Sequence, residues 1–234
     1  MLLTPEKKSS IPVITIDGPS GSGKGTISHL LAQELGWHFL DSGAIYRAAA
    51  WIAVATRTPI EEDSLLPLAT NLALNFSVQS SEQLLRIFWR QQDITDDIRT
   101  EEIGQLASKL GGYPKVRQTL LTYQRAFRRA PGLVADGRDM GSIVFPDAKL
   151  KIFLEASLEE RAKRRYLQLK ARGKHVSLNA VRAELEQRDR QDRQRPIAPL
   201  IVPKEAITID TTHLSIQEVL QLIKSKLPQA QTKS

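Results

Sequence analysis

The nine residues Gly18-Pro-Ser-Gly21-Ser-Gly23-Lys24-Gly25-Thr26 constrain the fold more than any other stretch of this 234-residue chain. Before them runs Pro12-Val-Ile-Thr-Ile-Asp17, whose β-branched residues predict a short buried strand. After them Ile27, Leu30, Leu31, Ala32 and Leu35 recur at helical spacing, so Lys24 to Leu35 reads as a helix closed by Gly36. Set between strand and helix, such a loop reads as a phosphate-binding site rather than a chance Gly-rich turn. The glycines let successive backbone N–H groups converge on phosphate oxygens, and the helix N-terminus adds its positive end. Lys24 is placed to reach the β- and γ-phosphates of a nucleotide, and Thr26 to ligate Mg²⁺. The common pattern has Ser or Thr directly after the Lys; here Gly25 intervenes.

Further along, strand-like and helix-like segments alternate. Trp37 to Leu40 reads as a second strand ending at Asp41, and Tyr46 to Ala55 as a helix. Thr56 to Asp63 reads as a connection. Ala73 to Val78 and Gln83 to Trp89 flank Gln79-Ser-Ser-Glu82 as a hairpin would. Thr100 to Leu110 and Val116 to Arg129 are amphipathic helices; Leu133 to Ala135 and Leu150 to Leu154 are strands by composition. Helices Leu158 to Arg172 and Leu178 to Arg195 follow, then a strand Ala206 to Ile209 and a helix Ser215 to Leu227. This alternation predicts an α/β fold with a parallel sheet flanked by helices, broken near residues 72–98 by a small inserted subdomain.

Several classes are excluded early. No apolar run approaches the ~18 residues of a membrane helix. Met1 to Ser10 is polar after Leu3, unlike a secretory signal. There is no Cys, which removes disulfides and thiolate chemistry and suits a reducing cytoplasm. Four scattered His have no metal-ligand spacing and read as structural or surface residues; Trp37, Trp51 and Trp89 read as core. The net charge of +7 suggests an anionic partner. Its location matters more. Residues 161–195 hold nine Arg and three Lys against four carboxylates, a net +8, and the remainder of the chain is near neutral at −1.

Two motifs join the loop. Leu40-Asp-Ser-Gly-Ala-Ile-Tyr-Arg47 follows the second strand and sets Ser42, Tyr46 and Arg47 at the carboxyl end of a sheet, where α/β ligand sites form. Ala135-Asp-Gly-Arg-Asp-Met-Gly141 follows the third, with Asp136 where a carboxylate would orient Mg²⁺ through water. None of the three Asn (Asn71, Asn75, Asn179) begins an Asn-Lys-x-Asp guanine reader, which argues against a GTPase.

With Arg188-Asp-Arg-Gln-Asp192 added, these motifs resemble the bacterial cytidylate kinases, and the match covers nearly the whole chain. The resemblance implies a P-loop kinase fold in one domain, 1–234, with a core of 11–69 and 109–234, an inserted monophosphate-binding subdomain at 70–108 and a short helical lid at 158–175. It implies phosphorylation of CMP and dCMP by ATP with Mg²⁺. It places Gly18, Pro19, Ser20, Gly21, Ser22, Gly23, Lys24, Gly25 and Thr26 on ATP, and Arg47, Arg138 and Arg195 on the CMP phosphate. It places Ser108, Arg117 and Asp139 at the cytosine, Arg188 and Asp192 near the sugar, and Ser42 and Tyr46 in the acceptor pocket. Cytosine donates from its amino group and accepts at N3 and O2, so a carboxylate, a hydroxyl and a guanidinium suit it. A monomer working in the cytoplasm on nucleotides, without nucleic acid or membrane, is expected.

The basic stretch has its own logic. Leu178, Val181, Leu185, Arg188, Asp192 and Arg195 fall on one helical face that turns from apolar to ionic, as a stripe emerging at a cleft would. Arg161 and Arg165 share a face of the preceding helix and are the expected catalytic lid arginines. Lys163, Arg164, Lys170 and Arg172 read as solvated or helix-end charges, and Arg125 to Arg129 as surface. Two alternatives stand: a P-loop kinase for UMP, AMP or a non-nucleotide acceptor, and a basic nucleic-acid-binding protein. The latter lacks aromatics through the +8 stretch apart from Tyr166.

Overall fold

The computed structural model describes residues 11–79 and 84–227, which form two compact units. One comprises the residues up to Asp41 and those from Arg125 onward; the other is Ser42–Gln124.

The first unit is built on the apolar strands. β1 (Val13–Asp17) is buried along its whole length, as a central parallel strand covered on both faces must be. It pairs with β6 (Leu133–Gly137) on one side and β7 (Leu150–Glu155) on the other. β2 (His38–Asp41) pairs with β6, and β8 (Ile207–Asp210) with β7, giving the all-parallel order β2-β6-β1-β7-β8. Ile27 and Leu31 of α1 (Lys24–Leu35) and Val219, Leu220 and Ile223 of α8 (Ile216–Lys224) join Ile14, Ile16, Val134 and Ile152 in one core. Gly36 closes α1 with φ 63°, left-handed as the sequence predicts. Two helices complete the unit: α6 (Leu158–Ala171), capped by Ser157, and α7 (Leu178–Gln194), capped by Ser177. Register aligns the carboxyl ends: Asp41 lies opposite Asp136, Asp136 opposite Ile16, and Gly137 opposite Asp17. Asp41 and Asp136 thereby lie side by side at the carboxyl end of the sheet, and Asp17, one residue out of that row, faces the other side.

The second unit carries α2 (Ser42–Ala55), α3 (Glu62–Thr70), α4 (Glu101–Leu110) and α5 (Pro114–Arg125), the last ending at the unit's boundary. It also holds a three-stranded antiparallel sheet of β3 (Leu74–Gln79), β4 (Leu84–Trp89) and β5 (Gln92–Asp93). The expected hairpin is these strands; most of its turn lies outside the described residues. This unit is wider than the expected 70–108 insertion because side chains stitch the flanking helices to it. Arg47 donates to the Ile98 and Thr100 carbonyls, Tyr113 to the Ile60 carbonyl, and Lys115 to Asp63.

Other boundaries move for local reasons. α2 begins at Ser42, four residues before the expected Tyr46. α3 occupies part of the expected connection; Pro67 lies inside it and the N-cap, Glu61, makes no side-chain capping bond, which leaves only the acidic first turn of Glu62 and Asp63 as a start signal. The helix expected to reach Arg129 stops at Arg125. Arg125 is exposed as expected and turns back to the Ile143 and Val144 carbonyls, whereas Arg128 is buried on the Ile11 carbonyl and Asp147 and is not the surface residue expected. Among the described residues no helix is long and apolar enough to cross a membrane.

Candidate active site

The phosphate loop is shaped by what surrounds it. A Cβ at Gly18 would fall 2.0 Å from the Leu154 carbonyl oxygen, so strand β7 leaves room only for glycine. Gly21 and Gly23 have φ of 78° and 87°, conformations that L side chains rarely adopt. Lys24 begins α1 and donates from Nζ to the Pro19 carbonyl at 3.0 Å, folding back along its own loop. Burial pushes its ammonium down to about 7; Arg138 and Arg188 add to the shift, and Asp136 and Asp41 oppose it. An arriving polyphosphate would restore the charge.

The carboxylates show the opposite shift. Asp136 is 5% exposed, and burial pushes it up to about 7 against the pull of Lys24. Its Oδ1 has no hydrogen-bond partner among the described residues. Its Oδ2 would lie 3.2 Å from a Cβ at Gly25. The Gly25 departure from the common pattern thus has a cause: any side chain there crowds Asp136. Asp17, noticed in the sequence only as a strand end, is fully buried and pushed up to about 7 by desolvation. Its two oxygens accept the Met140 and Gly141 backbone N–H groups at 2.8 Å each. It thereby anchors the wide turn Met140–Val144, which keeps the Arg138–Asp139 segment against β1. A single Asp before a Gly-rich loop was the signal available.

α6 and the residue after β6 bring arginines to this loop, and α7 brings the aspartates that hold them. Arg138 donates to Asp192 Oδ2 at 2.8 Å and to the Ser20 hydroxyl at 2.7 Å. Burial works against its charge, but Asp192 more than restores it; Asp192 in turn is held below the usual carboxylate range by Arg138 and Arg188 despite its burial. Arg195 caps the end of α7 and donates to the Ala198 carbonyl. Asp139 is buried, and Arg188 half-buried. The α7 stripe is ionic where expected, but Leu178 is exposed, and Val181 and Leu185 pack on Ala162 of α6 rather than on the central core.

The arginines of α6 divide differently from expectation. Arg161 does not share an open face with Arg165. It is 5% exposed and binds Asp189 at 2.6 Å and the Ser20 carbonyl at 3.1 Å. Arg164, expected as a solvated charge, donates to the hydroxyl and carbonyl of buried Thr211. That hydroxyl lies 3.2 Å from the Ser22 carbonyl oxygen and 3.1 Å from that of Glu155. Arg165 is half-buried one turn beyond Arg161.

In the second unit the remaining expected residues have their own order. Ser42 is buried and accepts from Gln124 at 2.7 Å. The Arg117 guanidinium lies 5.9 Å from the centre of the Tyr46 ring and donates to the Gly111 carbonyl. Arg47 lies across α4, where a Cβ at Gly104 would sit 2.8 Å from its Nη2. Ser108 is half-buried on the same helix.

Mg²⁺ can be tested against these residues. Among the described residues no three His, Asp or Glu side chains cluster as a metal cage. The unpartnered, buried Asp136 Oδ1 and the Thr26 hydroxyl are hard oxygen donors. They fit a cation that keeps most of its ligands from phosphates and water.

Comparison with known proteins follows the same lines. The chain matches the "Cytidylate kinase" family over residues 14–229. It is 55% identical over 219 residues to the cytidylate kinase of Methylococcus capsulatus, covering 93% of this chain and 97% of that one. It is 53% identical over 220 residues to that of Pseudomonas entomophila (94% and 96% covered), and 51% identical over 214 residues to that of Serratia proteamaculans (91% and 93%). The phosphate loop, its buried carboxylates and this similarity place the chain in the cytidylate kinase family.

Proposed function

We propose that this protein transfers the γ-phosphoryl group of ATP directly to CMP and dCMP. The observation that carries the reading is the setting of Lys24: a lysine at the mouth of a phosphate loop, its charge suppressed by burial and by Arg138 and Arg188, in a chain of this family. The acceptor phosphate is already an anion, so no general base is required. Catalysis is then positioning plus charge neutralisation. Lys24 draws the transferring phosphoryl group, and Gly18–Thr26 hold the rest of the triphosphate. Asp136 and the Thr26 hydroxyl would hold Mg²⁺ brought with ATP, which would supply further charge neutralisation.

For the acceptor, the proposed contacts are those the family resemblance implies: Ser42, Tyr46, Arg47, Ser108, Arg117, Arg138, Asp139, Arg188, Asp192 and Arg195. Within the proposed lid at 158–175, Arg165 is the arginine assigned to the phosphoryl group. Arg161 is better supported as a brace of the loop than as a lid arginine, given its burial and partners. A cytoplasmic monomer is the accompanying expectation, to which the absence of Cys is suited. Incubation with CMP and γ-labelled ATP tests the chemistry: label should appear in CDP with none retained on the protein. A labelled enzyme that passes its phosphoryl group to CMP contradicts direct transfer.

A further inference from the structure

Two aspartates of α7, three residues apart, each hold an arginine against the same residue of the phosphate loop. Asp192 holds Arg138 on the Ser20 hydroxyl. Asp189 holds Arg161 on the Ser20 carbonyl: the carboxylate is 2.6 Å from Nη2, and Nη1 donates to the carbonyl oxygen at 3.1 Å. The Arg161 Nε is committed to the Ala156 carbonyl at 3.0 Å, so the guanidinium is fixed from three sides. The loop also lies directly on this part of α6: a Cβ at Gly21 would stand 3.0 Å from the Arg161 Cβ and 3.1 Å from its carbonyl oxygen.

The carbonyl bond has a consequence for the other end of its peptide. In a trans peptide the C=O and the following N–H point in opposite directions. Holding the Ser20 oxygen toward Arg161 therefore turns the Gly21 N–H away from α6. Gly21 has φ 78°, and a glycine crosses between backbone regions at little cost, so the loop sequence alone leaves this peptide free to turn. An external acceptor bond selects one orientation before the ligand arrives, which is how preorganisation raises affinity. Arg161 can serve only while its charge is balanced, since a buried guanidinium without a counterion is costly. Asp189 is that counterion.

We infer that Asp189 is a positioning residue for the phosphoryl donor: through Arg161 it fixes the Ser20–Gly21 peptide in the orientation that presents the Gly21 N–H to the polyphosphate. The inference rests on the reading of this loop as the ATP site. It does not depend on which acceptor is phosphorylated.

The test reads ATP binding directly, by calorimetry on the whole chain, alongside steady-state kinetics. Asp189→Asn keeps the size of the side chain and removes its charge. The expected result is an ATP Kd and KM raised about tenfold, with the KM for CMP and kcat each within about threefold of the parent. A residue serving stability alone would instead lower melting temperature and the active fraction, leaving both KM values unchanged; that result overturns the inference. Arg161→Lys supplies a second route should Asp189→Asn fail to fold, because one ammonium cannot serve Asp189, Ala156 and Ser20 together. It should weaken ATP to a similar extent, and an unchanged ATP Kd in this variant overturns the inference. In the double variant the two losses should not add; full additivity would mean the residues act separately. A parent protein that binds ATP but ignores CMP would defeat the acceptor assignment while leaving this comparison intact.

Discussion

A Cβ placed on Gly25 would lie 3.2 Å from the Asp136 Oδ2, so the second residue of α1 and the carboxylate at the end of β6 share a space that holds only one of them comfortably. That contact explains why a loop of this class lacks the hydroxyl residue that commonly follows its lysine. Gly25→Ala should cut kcat about tenfold by displacing Asp136, while the helix gains about 0.5–1 kcal/mol of intrinsic preference. Steady-state kinetics and a thermal melt on one preparation check this. A loss of activity with the melting temperature unchanged or raised is the expected pair.

Lys24 gives a prediction in pH. Its folded value of about 7 lies below the ordinary lysine value of 10.5, so at pH 8 the free protein carries mostly the neutral amine. Polyphosphate binding raises the value again, so a proton must be taken up. At pH 6 the lysine is already charged and contributes no uptake. Calorimetry of metal-free ATP at pH 8, in buffers of different ionisation enthalpy, should show uptake approaching about one proton. Lys24→Met should abolish most of it and reduce turnover by orders of magnitude with the fold intact.

Gly104 tests the second unit. A Cβ there meets the flexible end of Arg47 rather than backbone, so the guanidinium moves and the fold does not suffer. Gly104→Ala should raise the KM for CMP about tenfold with the KM for ATP unchanged, and stability should hold or rise by up to about 1 kcal/mol. An unchanged CMP KM would remove Arg47 from the acceptor site.

How far the sequence revealed this site depended on the kind of signal. The phosphate loop, α1 and its Gly36 cap were legible because glycines, periodicity and a strand-to-helix setting coincide within a few residues. α3 was not, since its start lacks a capping side chain and its interior carries Pro67. Arg164 and Arg128 differ from expectation for one reason: an arginine's partners are groups distant in sequence, such as the Thr211 and Ile11 carbonyls. Helical spacing shows which face a charge occupies. It does not show what stands opposite.

Asp139 is the proposed reader of the cytosine amino group. Uracil presents an oxygen at the same position, leaving like poles opposed, and an unpaired buried polar group costs about 1–3 kcal/mol. Asp139→Ala should lower kcat/KM for CMP about a hundredfold while that for UMP changes little. Equal losses on both nucleotides would assign the residue to structure.

The most direct measurement of the central claim is an acceptor screen: ATP and Mg²⁺ with CMP, dCMP, UMP or AMP, followed by ADP release. Efficiencies for CMP and dCMP at least about a hundredfold above those for UMP and AMP are expected. Comparable efficiency on all four, or turnover of UMP or AMP without turnover of CMP, would contradict the claim.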